Sequence, residues 1–223
     1  MGMTVPLLAK ECSTFSGAAY NERHEHLFTE EYTIEQEGSK ILNVTTRFLS
    51  PQGTLIAEMS SSFPHNNHLA VVHFAKKEES NTYGTLLLDN TIELFTTTAA
   101  QLRKQKTIPI TDNMVSGHGF YFYILEHLDA LLAGEKRQLV FLQPNRLSFY
   151  TFNMKALPQQ DHLVKVILTI DSRLLKAFVP EIILVIDRRT NTLISYEGLS
   201  GFLAPEEGAL KKISVTYTTP KHL

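Results

Sequence analysis

The residues best suited to metal chemistry are histidines, which form two groups in the first third of the chain. His24 and His26 are two residues apart and would share one face of a strand, and the stretch HNNHLAVVH contains His65, His68 and His73. Neutral imidazole is the commonest metal ligand in proteins, but a metal site also needs a fixed geometry and usually a carboxylate or a further histidine. Because histidines near strand ends mostly face solvent, we expect no metal site and no other cofactor.

A second group of residues, Glu126, His127 and Asp129, has the chemistry needed for acid–base catalysis. On a helix, Glu126 and Asp129 share a face, whereas His127 points about 100° away. An otherwise buried helix needs one solvent-exposed polar face, and this explains the two carboxylates more simply than catalysis does. The sequence also has no phosphate loop, dinucleotide fingerprint or serine nucleophile elbow. We therefore predict no catalytic residues, and the sequence favours a protein that is not an enzyme.

The helix that would carry these residues is predicted over 116–133. Ser116 is a suitable N-cap and Gly134 a suitable C′ residue. Apolar residues at helical spacing form a wide stripe, to which Phe120, Ile124, Leu128 and Leu131 contribute first and Tyr121, Leu125 and Leu132 add width. The residues left to face water are Glu126, Asp129 and Ala133.

Segments with the period of two that is typical of β-strands lie on both sides of this helix. In EHLFTEEYTIE, Phe28, Tyr32 and Ile34 share one face, and Glu30 is the exception to the apolar pattern on that face. The turns SPQG at 50–53 and Asp89–Asn90 separate further strands. About eleven strands with connections of hairpin length indicate antiparallel pairing.

Three later segments, QLVFL, LSFYTF and EIILVI, are apolar on both faces and must be covered on both faces. The helix is the element available to cover one of them. We therefore predict a mainly β (α+β) fold, a strongly curved antiparallel sheet or open barrel with one principal helix packed on or in it. Residues 1–13 are expected to form an N-terminal tail, and residues 14–223 a single antiparallel β domain.

Composition restricts the partners and the setting of the protein. A formal net charge of −2 argues against nucleic acid, which is bound mainly through clustered Lys and Arg. No run approaches the roughly 18 apolar residues of a membrane helix, so we expect no transmembrane segment. The start MGMTVPLLAKEC lacks the pattern of an export signal. We expect a periplasmic location if such a signal has been removed and a cytoplasmic one otherwise; the sequence leaves the oligomeric state open.

Four longer stretches carry a family resemblance: FSGAAYNERHEHLFTEEYT, RFLSPQGTLIAE, FYILEHLDALLAGEKRQLVFLQPNRLSFYTF and LISYEGLSG. They resemble segments of an uncharacterised proteobacterial family whose members usually begin with an export signal. The long antiparallel meander around a helix also resembles the half barrels of bacterial lipoprotein carriers. The resemblance implies a curved β-sheet fold and an envelope setting, and it implies no catalytic residue.

The function that this fold favours is that of a soluble binding or carrier-type protein for a hydrophobic, lipid-like ligand. The residues expected to contact it come from the helix and from the strands that are apolar on both faces: Phe120, Ile124, Phe141, Phe149 and Phe152. The same residues could instead fill a solid core. Two other functions stay open, a hydrolase or metal-dependent enzyme with a histidine-rich site, and an envelope assembly or scaffolding protein.

Overall fold

In the computed structural model, residues 10–78, 81–200 and 212–222 are described, and they form a single 16-stranded sheet. The strands are β1 (Lys10–Tyr20), β2 (His26–Glu37), β3 (Lys40–Leu49), β4 (Leu55–Ser62), β5 (Val71–Lys76), β6 (Thr82–Leu88), β7 (Thr91–Thr97), β8 (Arg103–Pro109), β9 (Met114–Val115), β10 (Arg137–Gln143), β11 (Ser148–Pro158), β12 (Leu163–Ile170), β13 (Ile182–Asp187), β14 (Thr192–Leu199), β15 (Lys212–Tyr217) and β16 (Lys221–His222). The helical segment between β9 and β10 consists of α1 (Gly119–Glu126) and α2 (Leu128–Leu132). The fold is mainly β, as predicted.

The order of strands across the sheet is β8-β7-β6-β5-β4-β3-β2-β1-β15-β14-β13-β12-β11-β10-β9, and β16 pairs with the other end of β1. Neighbours are antiparallel, with the exception of the short β9, which runs parallel to β10. The sheet therefore consists of two meanders, and β1 joins them by pairing with β2 on one side and β15 on the other.

The strand β1 was not expected, because residues 1–13 were predicted to form a tail and the first strand named from the sequence was EHLFTEEYTIE. Its sequence KECSTFSGAAY has weak alternation and many small residues. Its place is fixed by packing: a Cβ atom on Gly17 would lie 2.6 Å from the Tyr217 ring, so only glycine leaves room for that ring. Residues 1–9 of the expected tail lie outside the described residues.

The helical segment is close to the predicted one and is broken at His127, where φ is −99° and ψ is 4°. Ile124, Leu128 and Leu131 are buried, and Glu126, Asp129 and Ala133 are exposed, as the apolar stripe predicted. Gly134 has a φ of +88°, and its N–H donates to the Leu131 carbonyl while the Glu135 N–H donates to the Ala130 carbonyl. This is the glycine C-cap that was expected.

Ser116 has a different role from the predicted N-cap. The helix begins at Gly119, and the residue before it, His118, makes no capping side-chain hydrogen bond. The Ser116 hydroxyl is fully buried; it accepts a hydrogen bond from the Ala70 N–H at 2.7 Å and donates one to the Ala70 carbonyl at 2.8 Å. It therefore joins the start of the helical segment to the residues just before β5.

The helical segment packs against both meanders. Val115, Tyr123, Ile124, Leu128 and Leu131 form one buried cluster with side chains of β10 to β13. Phe122, on another side of α1, packs against a second cluster built from β1 to β6 and β15. Since one short helix contacts both clusters, the sheet must curve around it.

A third cluster brings the two ends of the strand order together. Ile92 and Leu94 of β7 and Ile108 of β8 pack with Met114 of β9 and Leu142 of β10. The sheet is open in its hydrogen bonding among the described strands, and side-chain packing brings its two ends together in a barrel-like form. In the part of the chain that the structure describes, no helix has both the length and the apolar character to span a membrane.

Candidate functional site

The concave face of the curved sheet and α1 enclose a cavity of about 420 Å³. Its walls come from β1 to β4, β6 and β10 to β15, together with three consecutive residues of α1. This volume lies within the range of roughly 300 to 1,000 Å³ that is typical of small-molecule sites. A sheet that curls around one helix thus leaves space beside the helix.

The wall of the cavity is mainly apolar and aromatic. The apolar and aromatic residues that line it are Phe15, Phe28, Tyr32, Ile34, Val44, Phe48, Met59, Tyr83, Phe120, Tyr121, Phe122, Phe141, Leu142, Tyr150, Phe152, Ile170, Leu175, Val179, Ile182, Leu184, Leu193, Tyr196, Leu199, Ile213, Val215 and Tyr217. A site of this kind takes a ligand that is itself largely apolar, and its few polar groups orient that ligand.

The five residues predicted to contact a ligand are divided by the structure. Phe120, Phe141 and Phe152 line the cavity, and the Phe120 and Phe141 rings meet edge to face with centroids 5.6 Å apart. Ile124 is fully buried in the cluster between the helix and β10 to β13 and does not line the cavity. Phe149 is 42% exposed.

Alternation along β11 explains the position of Phe149. Tyr150 and Phe152 both line the cavity. Because successive residues of a strand face opposite sides of the sheet, Phe149, which precedes Tyr150 in β11, points to the other face. The sequence showed that β11 is apolar on both faces but gave no means to tell which face is concave.

Glu30 on β2 places a carboxyl group in the cavity wall and is only 8% exposed. Its Oε2 accepts a hydrogen bond from the Tyr32 hydroxyl at 2.8 Å and another from the Tyr217 hydroxyl at 3.1 Å. These two tyrosines come from β2 and β15, so the carboxyl group is held where β1 separates the two meanders. Two hydroxyl donors fix the position of one carboxyl oxygen.

Burial raises the pKa of Glu30 from its ordinary value of 4.5 to about 7, although the hydrogen bonds from Tyr32 and Tyr217 act in the opposite direction. Burial, together with the nearby Glu30 charge, also raises the pKa of each of these tyrosines well above 10. The tyrosines therefore stay protonated as donors near neutral pH. Glu30 can gain or lose a proton near neutral pH.

The second oxygen of Glu30, Oε1, receives no hydrogen bond from any described residue. No fully buried side-chain oxygen in the described residues lacks a partner, so Oε1 is not sealed within the protein. Since Glu30 lines the cavity, this oxygen opens onto it. A bound ligand can reach Oε1 while Oε2 stays tied to the two tyrosines.

The two tyrosines that donate to this carboxyl group belong to a cluster of aromatic rings. Phe15 and Tyr32 are stacked with ring centroids 4.5 Å apart, and Tyr217 meets both rings edge on at 6.0 and 6.1 Å. Packing of this kind fixes the rings that carry the two hydroxyl donors. The position of the Glu30 carboxyl group is therefore fixed by the packing of the protein itself.

His118 lies beside this group, at the start of α1. Its Nε2 is 2.7 Å from the Thr46 hydroxyl and its Nδ1 is 2.8 Å from the Ser61 hydroxyl, which ties the helix to β3 and β4. Burial lowers the pKa of His118 from 6.5 to about 3, so the ring is neutral at physiological pH. With both nitrogens occupied, its role is to hold the helix in place.

The pair formed by Ser61 and His118 has the residue types of a hydrolase nucleophile and its base. Ser61 is buried and does not line the cavity, so its hydroxyl does not reach a molecule bound there. The geometry therefore gives these two residues a structural contact.

The histidines that the sequence singled out are spread over the molecule. His24 lies in the turn before β2, and the Nε2 of His26 contacts the Phe28 carbonyl at 3.0 Å. His65 and His73 are exposed, whereas His68 pairs with Glu126 of the helix. Within the described residues, no three His, Cys, Asp or Glu side chains are grouped as a metal site would require.

Glu30, Tyr32 and Tyr217 were not among the predicted site residues. A signal for Glu30 was nevertheless present, because it interrupts the apolar face that Phe28, Tyr32 and Ile34 share. A carboxylate on an otherwise buried strand face needs partners or a ligand. Nothing in the sequence indicated that Tyr217, 187 residues away, would be one of them.

Comparison with protein-family models gives no match for this chain, and comparison with curated proteins gives none either. Among solved structures, it is similar to a beta-barrel-like protein of the domain of unknown function DUF1849 from Brucella abortus, with a TM-score of 0.47 and 7% identity over 96% of this chain and 98% of the other. A DUF1329 family protein from Desulfovibrio piger gives a TM-score of 0.24 and 10% identity over 96% of this chain and 85% of the other. Both likenesses concern the course of the backbone alone.

Proposed function

We propose that the protein binds a hydrophobic small molecule, such as a lipid or another acyl-chain compound, in the cavity between the sheet and α1. The observation that carries this proposal is the cavity itself, with its volume of about 420 Å³ and its apolar wall. Transfer of each methylene group from water into such a wall is worth about 0.8 kcal/mol. A chain of several methylene groups therefore supplies a useful affinity without any specific polar contact.

The rim of the cavity supports this proposal. Leu175 and Val179 line the cavity from the turn between β12 and β13, and in the same turn Leu174 and Phe178 are 76% and 78% exposed. Large apolar side chains this exposed cost free energy in water. They provide an apolar surface across which a hydrophobic ligand can enter. The likeness to lipoprotein carriers that the sequence suggested is part of the same proposal.

Native mass spectrometry tests the proposal. The protein is purified gently and then incubated with decanol, which offers an apolar chain and a small neutral head. We expect a complex of one decanol per chain. If the protein instead retains a heavier apolar molecule from the cells, we expect decanol to displace that molecule. If the spectra show only the bare chain before and after incubation, the cavity does not bind hydrophobic molecules and the proposal is wrong.

A variant that fills the cavity provides the structural control. Leu193 lines the cavity from β14, so Leu193→Trp should reduce decanol binding by occupying the space. Leu86 on β6 is an exposed leucine that does not line the cavity, and Leu86→Trp should leave binding unchanged. Circular dichroism shows whether both variants are folded. Equal loss of binding in the two variants would place the ligand elsewhere.

A further inference from the structure

We infer that the ligand of this cavity is an amphipathic amine, whose protonated head forms an ion pair with Oε1 of Glu30 while its apolar part occupies the rest of the cavity. This inference rests on the proposed function, because it concerns the same cavity and specifies the head group that the cavity recognises.

The carboxyl group of Glu30 has one occupied and one open oxygen. Oε2 is held by the Tyr32 and Tyr217 hydroxyls, and Oε1 opens onto the cavity. Both hydroxyls donate, which favours the ionised carboxylate. In that form Oε1 is a charged acceptor, and the complementary group on a ligand is a charged donor. Hydrogen bonds between ionised partners are roughly twice as strong as those between neutral ones.

The carboxyl group of Glu30 has no counter-charge among the described residues. Within the described residues no Lys, Arg or His forms an ion pair with Glu30, and no cation contributes to its pKa. Arg146 also lines the cavity, but it is exposed to solvent. A carboxylate taken out of water without a partner is costly. A protonated amine would provide the missing charge, whereas a ligand carboxylate would add to the repulsion.

The cavity wall that includes Glu30 is aromatic. Tyr32 and Tyr217 donate to its carboxyl group, Phe15 packs on both of these rings, and all three line the cavity with Phe28. The faces of aromatic rings carry negative electrostatic potential and attract cations, most strongly where water is excluded. An aromatic wall next to a carboxylate therefore favours an ammonium head over a hydroxyl or an acid of the same size.

The inference predicts a pH dependence. Glu30 has a pKa of about 7 in the absence of ligand, and a primary alkylamine, like the Lys side chain, stays protonated to about pH 10. The neighbouring titratable groups do not change charge between these two pKa values. His118 has a pKa of about 3, and burial raises the pKa of Tyr32, Tyr196 and Tyr217 above 10. Among the described residues, Arg146 is the other charged side chain that lines the cavity. Amine affinity should therefore increase as Glu30 ionises.

The test compares decylamine, decanol and decanoic acid, which share one apolar chain and differ in the head group. Isothermal titration calorimetry is carried out at about pH 8 and about pH 5.5, on either side of the Glu30 pKa. For the wild-type protein we expect decylamine to bind about tenfold more tightly than decanol at the higher pH, and to lose most of this advantage at the lower pH. Decanoic acid should bind most weakly at the higher pH.

Two variants assign the effect. Glu30→Gln keeps the shape of the side chain and should remove the preference for decylamine while decanol still binds. Glu31 lies next to it on β2, pairs with Arg47 at the surface and does not line the cavity, so Glu31→Gln should behave like the wild type. If Glu30→Gln does not fold, the pH dependence of the wild-type protein alone decides.

The outcomes separate this inference from the proposed function. If decanol binds and decylamine binds no more tightly at either pH, the amine inference is wrong and the hydrophobic cavity remains. The same conclusion follows if Glu30→Gln keeps the preference for the amine. If none of the three compounds binds, the proposed function is wrong and the inference fails with it.

Discussion

Glu30 combines a charged side chain with a position in the core. Its carboxyl group is buried, yet two tyrosine hydroxyls satisfy only one of its oxygens. Burial raises its pKa to about 7. A carboxyl group in this environment destabilises the folded protein when it is ionised, unless a ligand supplies the opposite charge. We propose that this residue serves ligand binding, because its burial lowers the stability of the folded protein.

Glu30→Gln should therefore change how stability depends on pH. In the unfolded chain Glu30 has a pKa near 4.5, and in the folded protein about 7, so between these values the folded state binds more protons. Its contribution to the free energy of unfolding is full below about pH 4.5 and is lost as the pH rises through 7. We expect the variant to gain about 3 kcal/mol relative to the wild type over this interval. Urea denaturation at a series of pH values measures it.

His118 gives a second part to this prediction. Its pKa is about 3 in the folded protein and about 6.5 in the unfolded chain, so between these values the unfolded state binds more protons and stability increases with pH. In the wild type the slopes from Glu30 and His118 oppose each other between about pH 4.5 and 6.5. Glu30→Gln should expose the rising slope of His118. Parallel curves for the two proteins would show that Glu30 titrates normally.

The helical segment connects the two meanders of the sheet. It is too short to form a layer of its own, and its residues contact both meanders. Hydrogen bonds fix its start to β3 and β4 through His118, and to the residues before β5 through Ser116. The helix is thus a rigid part of the cavity wall.

Leu128→Ala tests how firmly this segment is docked. Leu128 is buried in the cluster with β10 to β13, so its truncation should cost about 2 to 5 kcal/mol in the free energy of unfolding. The neighbouring Asp129 is exposed and makes a surface ion pair with Arg188 at 2.8 Å, and Asp129→Ala should cost no more than about 0.5 kcal/mol. Denaturant midpoints measure both. Similar small changes in the two variants would mean that the helix is loosely held.

The cavity forms because the two ends of the sheet are brought together and the sheet encloses its concave face. The two ends of the strand order, β7 and β8 on one side and β9 and β10 on the other, meet through a small apolar cluster. Residues that belong to different halves of the chain must therefore pack before the concave face is enclosed. We also propose that the described residues unfold as one domain, because both meanders share β1 and the helix.

Leu142→Ala tests this closure. Leu142 is almost fully buried in the closing cluster, and its truncation should cost about 2 to 5 kcal/mol. Amide hydrogen exchange should become faster in β7 to β10 together, in a single cooperative unfolding transition. Leu88 at the end of β6 is exposed, and Leu88→Ala should have an effect within about 0.5 kcal/mol. An unchanged exchange pattern in Leu142→Ala would show that the ends of the sheet do not depend on this contact.

Features that depend on neighbours along the chain could be predicted from the sequence. The helix stripe with its wet residues Glu126 and Asp129, the C-cap at Gly134 and the hairpin at Asp89–Asn90 all follow from local periodicity or from turn chemistry. The mainly antiparallel β fold follows from the same patterns. Each of these elements is specified by residues only a few positions apart, so a single segment contains the whole signal.

The folded structure was needed to show which strand faces line the cavity and which residues meet there. The position of β1 depends on the close packing of Gly17 against Tyr217. The direction in which the sheet curves separates Phe149 and Ile124 from the other predicted contact residues. Glu30 broke the pattern of its strand, but its partner Tyr217 is 187 residues away. Contacts of this kind depend on how the whole sheet closes, because side chains distant in sequence become neighbours only after the two meanders have joined.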